Sequence, residues 1–277
     1  MSDLSPYPAA TWRLIVDGEA AGATNMARDQ AVLEAVVAGS SPPTLRFYTW
    51  APPCLSLGRS QHLSEVDLAA CGRAGIDIVR RPTGGKAILH TDELTYSVAL
   101  LQTDPRTEGG IVEGYRRLSE GLLAGLRRLG VPAAQASKST KSPEEATAVC
   151  FETPADYEIT ADGRKLVGSA QWRAGGGVLQ HGSLPLRGDL GRIVDLLPFS
   201  DSERKHQRDR LHQKAITLEE AVGHAVSYER VAEALVAGFG RALNVDLIPG
   251  QLTSEELSRA ARLREERYLC PDWTQRL

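Results

Sequence analysis

The chain has 277 residues, 42% hydrophobic and 24% charged, with a net charge of −3. That is ordinary for a globular protein with a sizeable core, and a near-neutral balance argues against a general nucleic-acid binder. No stretch approaches the roughly 18 apolar residues needed to cross a bilayer. The first residues lack a basic region followed by an apolar run, so no secretion signal is read there. Cys54, Cys71, Cys150 and Cys270 are scattered without a C-x-x-C pair, which suggests neither a zinc site nor a disulfide framework. A reduced, cytoplasmic compartment is the expectation.

Residues 1–10 read as a loose end, 11–18 as a strand, and 22–38 as a helix capped by Thr24 or Asn25. Residues 45–50 alternate like a strand, 63–74 read as a helix capped by Ser64, and 76–80 as a short strand. A Gly-rich turn at 82–85 leads to 87–90 and to a buried strand at 94–101. That context is strand, turn, strand, which does not suit a nucleotide-binding P-loop at Gly84-Gly85-Lys86.

Residues 109–129 form the clearest helix, with Tyr115, Leu118, Leu122, Leu126 and Leu129 on one stripe. Residues 134–148 read as a polar loop. Strands are expected at 156–160, 165–172 and 178–186, and a short helix or turn at 191–197. The charged run 200–214 reads as a loop over the site or a disordered bridge. Helices follow at 218–223, 228–243 and 253–268, the last opened by a Thr253–Glu256 capping signal. Antiparallel-looking strand pairs with unevenly placed helices favour an α+β fold. A single domain over 1–277 with a helical segment from about 215 is expected, as a monomer.

Two stretches carry the chemistry. Residues 149–183 hold Cys150, Lys165, the small run Gly168-Ser169-Ala170, and His181. Cysteine attacks carbonyl carbon as its thiolate, and a nearby cation raises that fraction. Residues 80–90 combine Arg80, Arg81 and Lys86 with Thr83, Gly84 and Gly85, a backbone able to turn amide groups toward an anion. Taken singly, Cys150 also reads as a packed core thiol, Lys165 as a surface charge, and His90 and His181 as hydrogen-bonded core histidines. No His–Asp pair or metal-ligand spacing is evident, so no metal is expected.

The motifs in order resemble the biotin/lipoate protein ligase superfamily and, within it, the octanoyltransferase branch. They are Asn25-Met26-Ala27, Ser56-Leu57-Gly58-Arg59-x-Gln61, Arg80-Arg81-x-Thr83-Gly84-Gly85-x-Ala87, Cys150-Phe151-x-x-Pro154-x-x-Tyr157-Glu158, Gly163-x-Lys165-x-x-Gly168-Ser169-Ala170-Gln171 and Leu179-Gln180-His181-Gly182-Ser183. The resemblance implies a mixed sheet flanked by helices. It also implies transfer of an octanoyl group from acyl carrier protein, through a Cys150 thioester assisted by Lys165, to the lysine of a lipoyl domain. The acceptor would be a glycine cleavage H protein or a 2-oxoacid dehydrogenase E2 component. No cofactor would be required. Arg81, Thr83, Gly84, Gly85, Lys86, Ile88, His90, Gly168, Ser169, Ala170 and His181 fall at substrate-pocket positions, with Ile88 and Leu89 as acyl-lining side chains. Lys86 departs from the all-glycine form of the ligases. Three other readings stay open: an octanoyl amidotransferase between lipoyl-domain proteins, an ATP-dependent lipoate ligase, and a non-catalytic acyl- or lipoyl-domain-binding module.

Overall fold

The computed structural model describes residues 6–136 and 158–276. Cys150 and the whole stretch 137–157 that precedes the Lys165 strand lie outside the described residues. In chain order the elements are β1 (Ala10–Ala20), α1 (Gly22–Val37), β2 (Thr44–Trp50), β3 (Cys54–Leu57), α2 (Leu68–Arg73), β4 (Asp77–Arg80), β5 (Ile88–His90) and β6 (Glu93–Leu101). They continue with α3 (Ile111–Arg128), β7 (Ala133–Gln135), β8 (Ile159–Ala161), β9 (Arg164–Ala174), β10 (Gly177–Pro185) and α4 (Asp201–Lys214). The last are α5 (Leu218–Val222), α6 (Tyr228–Leu243), β11 (Val245–Pro249), α7 (Ser254–Leu263) and α8 (Pro271–Thr274). No helix among the described residues is long and apolar enough to cross a membrane.

The architecture is α+β, as the strand pattern implies. An eight-stranded mixed sheet runs β11-β1-β2-β6-β10-β9-β8-β7, and a small sheet runs β4-β3-β5. The long antiparallel ladders β6–β10 and β10–β9 form its centre, with His181 opposite Ser97 on one side and Ala170 on the other. Because paired residues share a face and neighbours alternate, β6 divides its side chains cleanly. Leu94, Tyr96, Val98 and Leu100 join the main apolar core with Leu118, Leu122 and Leu126 of α3 and Leu235 and Phe239 of α6. Helices α3 and α6 approach closely there. A Cβ on Gly238 would lie 2.3 Å from the Gly125 nitrogen, so only glycine fits that crossing.

The opposite face of the same sheet is covered by α1 and the small sheet. Val32, Leu33 and Val36 of α1 pack against Ala99 and Leu179. The rest of that face is polar, and it holds the candidate site.

Several local expectations are corrected. Helix α1 takes no side-chain cap from Thr24 or Asn25; its N-cap is Ala21. The Asn25 amide instead donates to the carbonyls of Ala20 (3.1 Å) and Thr49 (2.9 Å), tying the helix start to β2. The 63–74 segment is a 3₁₀ turn at Leu63–Glu65 followed by α2, whose cap is Asp67, not Ser64. The run 200–214 is helix α4, opened by a Ser200–Glu203 capping box, with Leu211 packed into the apolar cluster beneath the small sheet. The segment after 215 also contains a strand, β11, which extends the large sheet parallel to β1.

Candidate functional site

Lys165 sits near the start of β9 and is fully buried. The β8–β9 register shifts between Ile159 and Thr160, with Val167 opposite Ile159 and Lys165 opposite Thr160. The extra residue of this bulge reverses the alternation. Val167 points into the α3–α6 core, and Lys165 comes to the opposite face, the one shared by Gly168, Ala170 and His181. Its Nζ meets Glu158 Oε1 at 2.5 Å, with both side chains nearly inaccessible. An ammonium buried without such a partner would cost several kcal/mol. The Lys165 carbonyl accepts the Ile216 N–H at 3.0 Å, which fastens the end of α4 to this strand.

Next along the face is a network centred on Asp29 of α1. Its Oδ1 accepts from Arg46 Nη1 and from the Ser97 hydroxyl, both at 2.8 Å, and its Oδ2 accepts from the Tyr48 hydroxyl at 2.8 Å. The His181 Nδ1 lies 3.3 Å from Oδ2, and the His181 Nε2 lies 2.7 Å from Thr83 Oγ1. Burial alone would raise the Asp29 carboxyl, but the His181 hydrogen bond and the Arg46 charge hold it below the usual carboxylate range. Burial pushes the His181 imidazole down, against the opposing pull of Asp29. A carboxylate only accepts, so a neutral His181 donates from Nδ1 and accepts at Nε2 from the Thr83 hydroxyl. The chain Asp29–His181–Thr83 therefore runs from the sheet into the Gly-rich loop.

A second carboxylate anchors the small sheet. Glu93 Oε1 accepts from His90 Nδ1 at 2.7 Å and from Thr95, and Oε2 accepts from Ser183. Burial would raise Glu93, yet His90 and the two hydroxyls hold it below the usual range. The His90 ring stacks on Trp50 at 3.9 Å, and its Nε2 meets the Ser56 hydroxyl at 2.7 Å. Arg81 then links Ser56 to the loop. Its guanidinium donates to Ser56 O (2.9 Å), Gly84 O (2.8 Å) and Lys86 O (2.7 Å). In a trans peptide the N–H points opposite to the C=O. With the Gly84 and Lys86 carbonyls drawn to Arg81, the Gly85 and Ala87 N–H groups point away from it. The loop is also pressed onto Gly58, where a Cβ would lie 1.8 Å from the Gly85 oxygen.

The structure thus ties Arg81, Gly84 and His90 into one hydrogen-bonded network and Thr83 and His181 into a second, the two meeting in the loop that contains Gly85. Gly168, Ser169 and Ala170 lie on β9 directly opposite Ser183, Gly182 and His181. The Ser169 hydroxyl accepts from Tyr96 at 2.8 Å on the other face. Lys86 turns outward and pairs with Glu65 at 2.9 Å, so its side chain does not enter the loop's concave side. Ile88 packs among Leu55, Leu57 and Val66. Leu89 lines a cavity of about 30 Å³ with Glu93, Ser183, Ile193 and Leu211. Among the described residues no three His, Cys, Asp or Glu side chains are grouped to hold a metal.

Asp29, Glu93 and Trp50 are additions that spacing did not reveal, while Ser56 and Glu158 stand in the ordered motifs without a role read for them. One signal was present for Asp29. It stands four residues after Asn25, on the face of α1 that also carries Met26 and Leu33, where an unpaired charge would not be tolerated.

Residues 21–240 match the family model described as Lipoyl protein ligase A/B catalytic domain. The chain is similar to Octanoyltransferase LipM of Moorella thermoacetica, 46% identical over 273 residues that span 97% of this chain and 99% of that protein. It is 44% identical over 272 residues to Octanoyltransferase LipM of Kyrpidia tusciae, spanning 96% of this chain and 99% of that one. Among solved structures, lipoate-protein ligase A bound with ATP superposes with a TM-score of 0.77 at 25% identity, covering 97% of this chain and 99% of that one.

Proposed function

Because the chain belongs to the lipoyl protein ligase A/B catalytic-domain family and is similar end to end to octanoyltransferases, its activity is octanoyl transfer in lipoate assembly, and we propose that transfer proceeds through a thioester on Cys150. The end-to-end similarity carries the reading. The buried Lys165 and the Arg81-held loop support its chemical detail.

In this mechanism the Cys150 thiolate attacks the carbonyl of octanoyl-acyl carrier protein. A sulfur–carbon bond forms to Cys150, the donor's sulfur–carbon bond breaks, and the carrier leaves as a thiolate that takes up the proton Cys150 lost on ionising. The ammonium of Lys165 raises the thiolate fraction of Cys150. The Gly85 and Ala87 N–H groups, aimed away from Arg81, are the donors for the tetrahedral oxyanion; one such donor is commonly worth about 3 kcal/mol. The amine of a lipoyl-domain lysine then attacks the acyl-enzyme, an amide forms, and Cys150 is released as thiol. A thioester is already activated, so the reaction needs neither ATP nor another cofactor.

Intact mass after mixing the protein with octanoyl-acyl carrier protein, without ATP, tests the reading. The expected result is a hydroxylamine-sensitive octanoyl adduct on the wild type and none on Cys150→Ala. Turnover of ATP with free octanoate or lipoate, with Cys150→Ala still active, would make the protein a ligase instead.

A further inference from the structure

The C-terminal segment folds back beside the Gly-rich loop and gathers arginines there. Arg80, at the end of β4, is fully buried. Its guanidinium donates to the carbonyls of Gly58 (2.8 Å), Gln61 (2.6 Å) and Thr274 (3.0 Å). The Arg80 carbonyl accepts the Trp273 indole N–H at 2.7 Å. Two more guanidinium groups lie against the Trp273 ring, Arg267 at 3.7 Å and Arg276 at 4.3 Å from its centroid. Arg276 also donates to the Arg59 carbonyl at 2.7 Å, while the Arg59 N–H donates to Thr83 O at 2.8 Å. Arginines from three separate stretches of chain are thus assembled one hydrogen bond from the Thr83–Gly85 loop.

Arg80 is spent on backbone carbonyls and Arg267 also donates to Gln30 Oε1 at 3.0 Å, but among the described residues the exposed Arg59 and Arg276 have no such buried structural role for their charge. The nearby Glu34 and Glu265 are engaged with Arg259 and Arg264, and among the described residues Arg59, Arg80, Arg267 and Arg276 form no ion pair. Asp272 and Glu266 are the exposed carboxylates of the same segment. Burial pushes Arg267 down against the opposing pull of Tyr268 and Glu34, with Arg59 and Arg276 adding to the fall, and Arg80 is lowered by burial and Arg276. Arg267 Nε is buried without an acceptor. Like charges held together in a chain of net charge −3 oppose folding. Guanidinium forks on an aromatic platform fit phosphate and carboxylate bidentately.

We propose that this arginine–tryptophan patch docks the protein that delivers the acyl group, an acidic carrier whose thioester arm is linked through a phosphodiester. The inference rests on the reading that the donor thioester is protein-borne. It favours the donor over the acceptor because the donor's arm bears a phosphate and the acceptor's lysine does not. The patch adjoins the Gly58–Gly85 contact, so a carrier bound there directs its arm past the loop toward the polar face of the sheet.

Arg59 and Arg276 are exposed and suit a test that spares the fold. In the double variant Arg59→Ala with Arg276→Ala, the second-order rate of acylation by octanoyl-acyl carrier protein should fall tenfold or more. Its dependence on salt should flatten. Acylation by octanoyl-N-acetylcysteamine, which has neither protein nor phosphate, should match the wild type, as should KM for the lipoyl-domain acceptor. Equal carrier acylation in wild type and variant overturns the docking proposal alone, as does a loss that appears in the acceptor KM instead. A wild type that the carrier thioester fails to acylate overturns the donor reading, and the patch assignment falls with it.

Discussion

The two faces of β6 are built from opposite materials, and both are buried. Toward α3 and α6, Leu94, Tyr96, Val98 and Leu100 meet leucines and Phe239. Toward α1 and the small sheet, Glu93, Thr95 and Ser97 meet His90, Ser183 and Asp29. The first face is held by contact area, a force without direction that tolerates volume-conserving exchange. The second is held by donors and acceptors that must match one by one, since a buried polar group left alone costs about 1–3 kcal/mol. Alternation along a strand commonly signals a solvated polar side. Here the polar side is interior and carries the candidate site.

The sharpest way to break the polar face is Asp29→Ala. It removes one of the two carboxylates on the buried Arg46 guanidinium, leaving Asp17 at 2.9 Å, and removes acceptors for Tyr48, Ser97 and His181. A loss of about 3–5 kcal/mol in urea unfolding is expected; a loss below about 1 kcal/mol would show that the network is not structural. On the apolar face, Leu122→Ala should cost about 2–5 kcal/mol by opening a cavity. Below its own unfolding transition it should leave acyl-enzyme formation close to wild type.

Thr83→Val takes the hydroxyl from His181 Nε2 and should cost about 1–3 kcal/mol. Octanoyl transfer should drop severalfold as well, and Thr83→Ser should recover it. If valine and serine behave alike in transfer, the Asp29–His181–Thr83 chain has no part in it.

The pH dependence separates the same two faces more gently. The folded-state pKa of His181 lies below its ordinary value of 6.5, so the unfolded chain binds the proton first as pH falls. That contribution to stability is complete above about 6.5 and is lost as pH drops from there toward the folded pKa. Asp29 and Glu93, both held below their ordinary values of 3.8 and 4.5, add a second loss below those values. Unfolding measured from pH 8 to 5 should show the His181 step in wild type and none in His181→Gln. The smallest effect belongs to Lys86→Ala, whose ion pair with Glu65 is partly exposed and screened by solvent; thermal unfolding should register less than about 1 kcal/mol.

Some of the molecule was legible without coordinates. Helices α3 and α6 follow from leucine stripes at helical spacing, and α7 from its Thr253–Glu256 capping box. The α4 segment misleads because only Leu211 is buried in it; with no apolar stripe, its helix signal rests on caps and end charges. Strand β11 is short and ends in proline, and only parallel pairing with β1 makes it a strand. The histidines could not be assigned partners from spacing, because Asp29 and His181 are 152 positions apart.

By itself, the amino-acid sequence determined the α+β class, the principal helices and the ordered motifs that mark the family, because those depend on periodicity, caps and residue order along the chain. Only the tertiary structure decided which face of β6 would gather the buried polar side chains of the candidate site. The β8–β9 bulge turns Lys165 to that face, and α1 brings Asp29 to His181. Each depends on a register or packing contact between distant segments, which local spacing does not encode.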